Sequence, residues 1–157
     1  MKNILFVCTG NTCRSSMAEA LLRHYVKEHP ALELNIKSAG TAVFQSQRAS
    51  SNAIEALREL DIDLSCHRSQ PLTEALIDEA DLILTMTGSH KEQVLYFKPD
   101  AKNKTFTLAE FTSRDAAKNI SDPFGGNLTV YTQCRDEILE HIRKLLHILD
   151  SPKERGK

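Results

Sequence analysis

The sequence carries no dominant charge. Its 20 Lys and Arg stand against 21 Asp and Glu, a formal net charge of -1, so no broad field points to nucleic acid or an anionic membrane as partner. No run approaches the roughly 18 consecutive apolar residues that a membrane span needs, and Met1-Lys2-Asn3-Ile4 is too brief to begin a signal peptide. Without an export signal, Cys8, Cys13, Cys66 and Cys134 are expected to stay reduced, in a cytoplasm. These cysteines form no paired CxxC units, and the histidines show no HxxxH or other ligand spacing, so no metal is expected. A Walker-type phosphate loop and an acidic cluster are also missing, which disfavours magnesium-dependent nucleotide chemistry. No cofactor is implied. Neither repeats nor low-complexity segments occur, and 157 residues make one ordinary domain, with 151–157 expected as a disordered tail.

What is present is an alternation of strand and helix signals. Asn3 to Cys8 is a short, continuously apolar strand, and Ser16 to His29 carries a helical stripe through Met17, Leu21, Leu22 and Tyr25, stopped by Pro30. Leu34 to Ala39 alternates as a second strand and ends at Gly40. Helices follow over Ala49–Leu60 and Leu72–Ala80, the second with Thr73 as a cap, then a buried strand over Asp81–Thr87. Ser89 can cap a helix reaching Phe97, Lys104–Leu108 is a short fourth strand, and Thr112–Gly126 reads as irregular. The last helix, Leu128–Leu149, places Tyr131, Cys134, Ile138, Ile142, Leu145 and Leu149 on one face for the core; His141 and His147 are expected in solvent. The pattern predicts an α/β fold: a single three-layer domain with a parallel, twisted sheet covered by helices on both faces. Ligands of such sheets bind at the carboxyl ends of the strands, where Cys8 lies.

The stretch CTGNTCRSS, residues 8–16, joins that strand to a helix. A helix N-terminus exposes unpaired N–H groups and favours anions. Gly10 can take positive φ, so that successive amides turn inward. Arg14 can offer a phosphate two parallel N–H donors. The same surroundings predict a depressed thiol pKa for Cys8, which suits a nucleophile aimed at phosphorus. Cys-x5-Arg alone is a weak motif, and an inert Cys8 beside a surface Arg14 is the alternative; the strand–loop–helix placement favours the reactive reading. Phosphoryl transfer also needs a proton for the leaving group. In SDPFGGN, residues 121–127, Asp122 is stiffened by Pro123 and followed by a Gly125-Gly126 turn, with Phe124 as a possible apolar wall. Local sequence leaves two readings of Asp122 open, general acid or turn cap. His67 and His90 fall near the rim and look ordinary.

Together, VCTGNTCRSSMAEA (7–20), SAG (38–40), DLILTMT (81–87) and DPFGG (122–126) resemble the low-molecular-weight protein tyrosine phosphatase family. The resemblance spans nearly the whole chain and implies a four-stranded parallel sheet. It implies that Cys8 forms a phosphocysteine, that Arg14 binds the phosphoryl oxygens, and that Asp122 protonates the leaving group and then activates water. Thr9, Gly10, Asn11, Thr12, Cys13 and Ser15 complete the phosphate-binding loop, with Ser15 supporting the thiolate and Asn11 bracing the backbone. A second thiol at Cys13 implies a protective Cys8–Cys13 disulfide; a small packed residue is the alternative. Thr12 stands where tyrosine-specific members carry a bulky aliphatic side chain. Thr12 with DPFGG resembles the bacterial branch acting on phosphoarginine, whose polar guanidinium a hydroxyl can satisfy. Two departures stand out: Ser16 occupies a usual proline position, which would loosen the loop slightly, and Thr41–Ala49, an expected cleft wall, follows the family pattern poorly.

The expected function is therefore a cysteine-dependent protein phosphatase, favouring phosphoarginine over phosphotyrosine, with phosphorylated proteins as partners. Rival readings are weaker. Arsenate reduction on this fold needs two further cysteines near residues 80–90, and none lies between Cys66 and Cys134. A phosphocarrier or a phosphate-binding module would not need Arg14 and Asp122 together.

Overall fold

The computed structural model describes residues 2–115 and 118–151. Four strands, β1 (Lys2–Cys8), β2 (Leu34–Gly40), β3 (Leu82–Thr85) and β4 (Thr105–Thr107), form one sheet in the order β2-β1-β3-β4. Every neighbouring pair is parallel. Successive side chains of β1 point to opposite faces, and both faces are covered. Ile4 and Phe6 join the larger core under α1 (Arg14–Tyr25), α2 (Ser51–Arg58) and α6 (Leu128–Leu149). Leu5 and Val7 enter a smaller core with Ile77 of α3 (Glu74–Glu79) and Val94 of α4 (Gly88–Phe97). The result is the three-layer α/β domain that the alternation of elements implies.

Most expected elements are present, with informative differences. Helix α1 starts at Arg14 rather than Ser16 and ends in a 3-10 turn at Val26–Glu28, so the arginine belongs to the first helical turn. Thr87, not Ser89, caps α4: its hydroxyl accepts from His90 N at 3.2 Å. The strand expected to reach Leu108 stops at Thr107, where a short helix α5 (Leu108–Ser113) begins. A capping box starts it, with Thr107 and Glu110 each satisfying the other's backbone N–H. The six residues assigned to the inner face of α6 are all buried there. His141 is also buried, against the expectation of solvent exposure, and bonds Thr112 Oγ1 through Nδ1 at 2.7 Å. Apart from Ser151, the expected tail lies outside the described residues. Among the described residues, no helix is long and apolar enough to cross a membrane.

The order of strands reverses between β1 and β3, and in such sheets the crevice at that point holds the ligand. The loop after β1 leaves the sheet there.

Candidate active site

The loop between Cys8 and α1 is fastened from several sides. Thr41 N donates to Cys8 O at 2.9 Å, Ala42 N to Thr9 O at 3.0 Å and Ser50 N to Thr12 O at 3.0 Å. The left-handed turn expected at Gly10 falls instead on Asn11, at φ 56°. Asparagine visits this region more readily than other side chains because its short amide bonds locally. Here all of its polar atoms are used. Asn11 Nδ2 donates to Ser15 Oγ at 2.8 Å and Ser38 Oγ at 2.9 Å, while Oδ1 accepts from Gln70 N at 3.0 Å. Its carbonyl accepts from His67 Nε2 at 2.7 Å.

Cys8 is buried at the floor of this loop, with its sulfur 2.8 Å from Ser15 Oγ. Burial pushes the thiol above its ordinary value of 9.0, against the depressed value expected. The Ser15 hydroxyl, the N–H groups of Ser15 and Asn11 and the Arg14 guanidinium all pull it down, so each is placed to hold the anion once it forms. Desolvation outweighs them.

Arg14 is itself buried. Nη1 donates to Ile120 O at 3.0 Å and Nη2 lies 3.6 Å from Asp122 Oδ2. The Asp122 side chain is half exposed, and its Oδ1 accepts from Phe124 N at 3.0 Å. One Asp122 oxygen thus shapes the turn, as the cap reading has it, and the other faces the arginine. Gly126 N donates to Pro123 O at 2.8 Å, closing the turn, with Gly125 at φ 83°.

Cys8, Thr12, Arg14 and Asp122 line one cleft of about 430 Å³. Phe124 and Phe44, both well exposed, stand at its edge. Ala42, Val43, Gln45 and Gln47 also line it, so the poorly matching 41–49 segment is a cleft wall. Ser16 does not loosen the loop: it is buried, and its hydroxyl donates to Cys13 O at 2.9 Å. Cys13 Sγ lies 3.4 Å from both Ser50 Oγ and Tyr131 Oη.

Two histidines read as ordinary in sequence belong to this frame. His67 holds the Asn11 carbonyl, and His90 bridges Thr9 Oγ1 at 2.8 Å and Thr87 Oγ1 at 3.0 Å. Burial, with Arg14 nearby, pulls His90 down to about 4, so it serves as a neutral strut at pH 7. Their partners in the loop, Asn11 and Thr9, lie 56 and 81 residues away, and no local motif announces them. Among the described residues, no group of three His, Cys, Asp or Glu could hold a metal.

A buried thiol under a loop at a helix N-terminus, faced by an arginine and a carboxylate, defines a cysteine-based phosphatase on a parallel α/β domain. Residues 3–155 match the family model of the low molecular weight phosphotyrosine protein phosphatases, and the chain belongs to this family. A protein-arginine-phosphatase of Bacillus subtilis is 44% identical over 143 residues, covering 91% of this chain and 93% of its own. Another, from Geobacillus stearothermophilus, is 45% identical over 148 residues, covering 94% and 96%. A solved structure of the YwlE arginine phosphatase, a mutant with a phosphorylated active-site serine, superposes with a TM-score of 0.90 at 42% identity. That match covers 96% of this chain and 97% of the other.

Proposed function

We propose that this protein hydrolyses phosphoarginine in proteins through a phosphocysteine intermediate. In this reading the phosphoryl group enters the loop, where main-chain N–H groups and Arg14 neutralise its oxygens. The Cys8 thiolate, its proton lost to solvent, attacks phosphorus: the S–P bond forms as the N–P bond to the substrate guanidinium breaks. Asp122 gives its proton to the departing nitrogen. It then takes one from water, which attacks phosphorus, breaks the S–P bond and returns the thiolate with inorganic phosphate released. Thr9, Gly10, Asn11, Thr12, Cys13 and Ser15 form the phosphate-binding loop, and Phe124 walls the leaving group.

The observation that carries the reading is the gathering of Cys8, Arg14 and Asp122 in one cleft with Thr12 on its wall. A threonine hydroxyl can bond a guanidinium N–H, where a branched aliphatic would leave that polar group unpaired on binding. The names of the two relatives support the same substrate. A cytoplasmic site of action belongs to this reading and is consistent with four free thiols.

The test compares kcat/KM on phosphoarginine and phosphotyrosine peptides for wild type and Thr12→Ile. Wild type should prefer phosphoarginine, and the substitution should shift the ratio toward phosphotyrosine by roughly 10- to 100-fold, the cost of one or two unpaired polar contacts. Equal or better turnover of phosphotyrosine by the wild type overturns the specificity and leaves the phosphatase reading standing.

A further inference from the structure

A second cleft of about 580 Å³ shares no lining residue with the first. Glu19 lines it from the second turn of α1, with Ser38 of β2 beside it. Both carboxylate oxygens of Glu19 are engaged. Oε2 pairs with Arg23 Nη2 at 2.9 Å, one turn on, and Oε1 accepts a hydrogen bond from the Ser38 hydroxyl. From Ser38 an unbroken line of contacts continues through Asn11 and Ser15 to the sulfur of Cys8.

The chemistry of these groups sets the direction of each hydrogen. An ionised carboxylate can only accept, so the single Ser38 hydrogen points to Glu19. Ser38 Oγ is then an acceptor toward Asn11. The Asn11 amide is oriented the same way from its other end, because Oδ1 accepts from Gln70 N. Its two Nδ2 hydrogens go to Ser38 and Ser15. Ser15 Oγ, already accepting from Asn11, has its own hydrogen left for Cys8. Ser15, Asn11 and Ser38 are essentially fully buried, so no water competes for these positions, and bonds in such a chain polarise one another.

We propose that Glu19 is a positioning residue for the nucleophile: its carboxylate anchors the chain Ser38–Asn11–Ser15 so that the Ser15 hydroxyl donates to the Cys8 sulfur. This rests on the reading of Cys8 as nucleophile. It adds a residue that lines a different cleft from Cys8, Arg14 and Asp122. Arg23 is the charged side chain bonded to Glu19; His24 and Lys27 face the same cleft from that helical segment, and Lys37, Asp61, Asp63, Arg68 and His67, which bonds the Asn11 carbonyl, face it from other elements. Facing the sulfur is Arg14, with Asp122 beyond it.

The test follows the alkylation rate of Cys8 by iodoacetamide against pH. Peptide mass spectrometry separates Cys8 from the exposed Cys66. Glu19→Ala removes the anchor and leaves the Ser38 hydrogen without an acceptor; Glu19→Gln keeps an oxygen that can accept it. In Glu19→Ala the midpoint should rise, with the thiolate fraction at a fixed pH below it falling roughly three- to tenfold, the consequence of weakening one hydrogen bond to the anion. Glu19→Gln should stay near wild type. Ser38→Ala cuts the same chain one link closer and should shift the midpoint equally, with the Glu19→Ala, Ser38→Ala double variant shifting no further. A folded Glu19→Ala with an unmoved midpoint overturns the proposal. If that variant does not fold, an unmoved midpoint in Ser38→Ala does so. The readout uses no phosphorylated substrate, so a failed substrate assignment would leave this result intact, and the reverse holds equally.

Discussion

Cys13 is packed where the proposed disulfide with Cys8 would have to form. Its sulfur sits 3.4 Å from Ser50 Oγ and Tyr131 Oη, packed toward α2 and α6. Burial pushes the Tyr131 hydroxyl up to about 12, so it remains a hydrogen-bond donor at neutral pH. A bond from Cys13 to Cys8 would compete with these contacts, so packing opposes the disulfide without forbidding it. Oxidation of Cys8 to a sulfenic acid changes that balance, because Cys13 can displace the hydroxyl as water and close a disulfide that a dithiol reopens. The expected outcome is that peroxide abolishes wild-type activity and a dithiol restores it, whereas Cys13→Ser loses activity permanently. Trapping Cys8 only as sulfinic acid, with no Cys8–Cys13 linkage by mass spectrometry, would show that Cys13 serves packing alone.

At the scale of elements, the carboxyl end of β2 matters as much to the site as β1 does. Gly40 pairs with Cys8 in the sheet, donates from N to Gln70 O at 2.9 Å and accepts from Leu72 N at 2.8 Å. A Cβ at this position would collide with the Thr9 carbonyl oxygen and come within 2.6 Å of Val43 Cγ2 and 3.1 Å of Asn11 N. Two of those three atoms belong to the phosphate loop, whose backbone cannot yield without moving its amides. Gly40→Ala should therefore cost about 1–3 kcal/mol of stability and depress kcat roughly 100-fold, the effect of displacing catalytic groups by about 1 Å. Thermal unfolding and steady-state kinetics measure the two separately; wild-type kcat in a folded Gly40→Ala would refute the coupling. The sequence shows Gly40 as the end of a strand and hides what it touches. The same limit governs the rest of the reading. Strand β1, helix α6 and the Cys8–Arg14 and Asp122–Gly126 loops follow from periodicity or short motifs, since their determinants are contiguous. Helix α5 has only six residues, too few for a periodic stripe, and its one local signal is the Thr107-x-x-Glu110 box. His67, Gln70 and His90 reach the loop from 56, 59 and 81 residues away, and the first two hold Asn11 in its left-handed turn. Such contacts are properties of the assembled chain, which is why the residues that support the loop were harder to see than those inside it.

For the whole molecule, the buried ionisable groups set a window of pH in which the fold is most stable. His90 is lowered from 6.5 to about 4 by burial, and His141 is lowered by burial beside Lys118 and Lys144. His141 Nε2 is buried and has no hydrogen-bond partner among the described residues, so charging this ring in place gains no hydrogen bond there, and burial outweighs the favourable Glu140 charge. As pH falls from 6.5 toward 4, the unfolded chain takes up protons that folded His90 refuses, and the fold loses stability in that interval. On the alkaline side the sign reverses. Burial raises Cys8 above 9.0 and carries Cys134 from 9.0, and Tyr131 from 10.0, up to about 12. The unfolded chain releases those protons first, so stability present below 9 drains away as pH climbs toward 12. Denaturant unfolding at about pH 5, 7.5 and 10.5 should give the highest stability at the middle value. His141→Gln, which lies outside the phosphate loop, should flatten the acid limb even if it lowers the plateau, because one proton fewer is then linked to unfolding. An acid limb of unchanged slope in that variant would mean that His90 or carboxylates elsewhere, and not this buried ring, set the lower edge of the window.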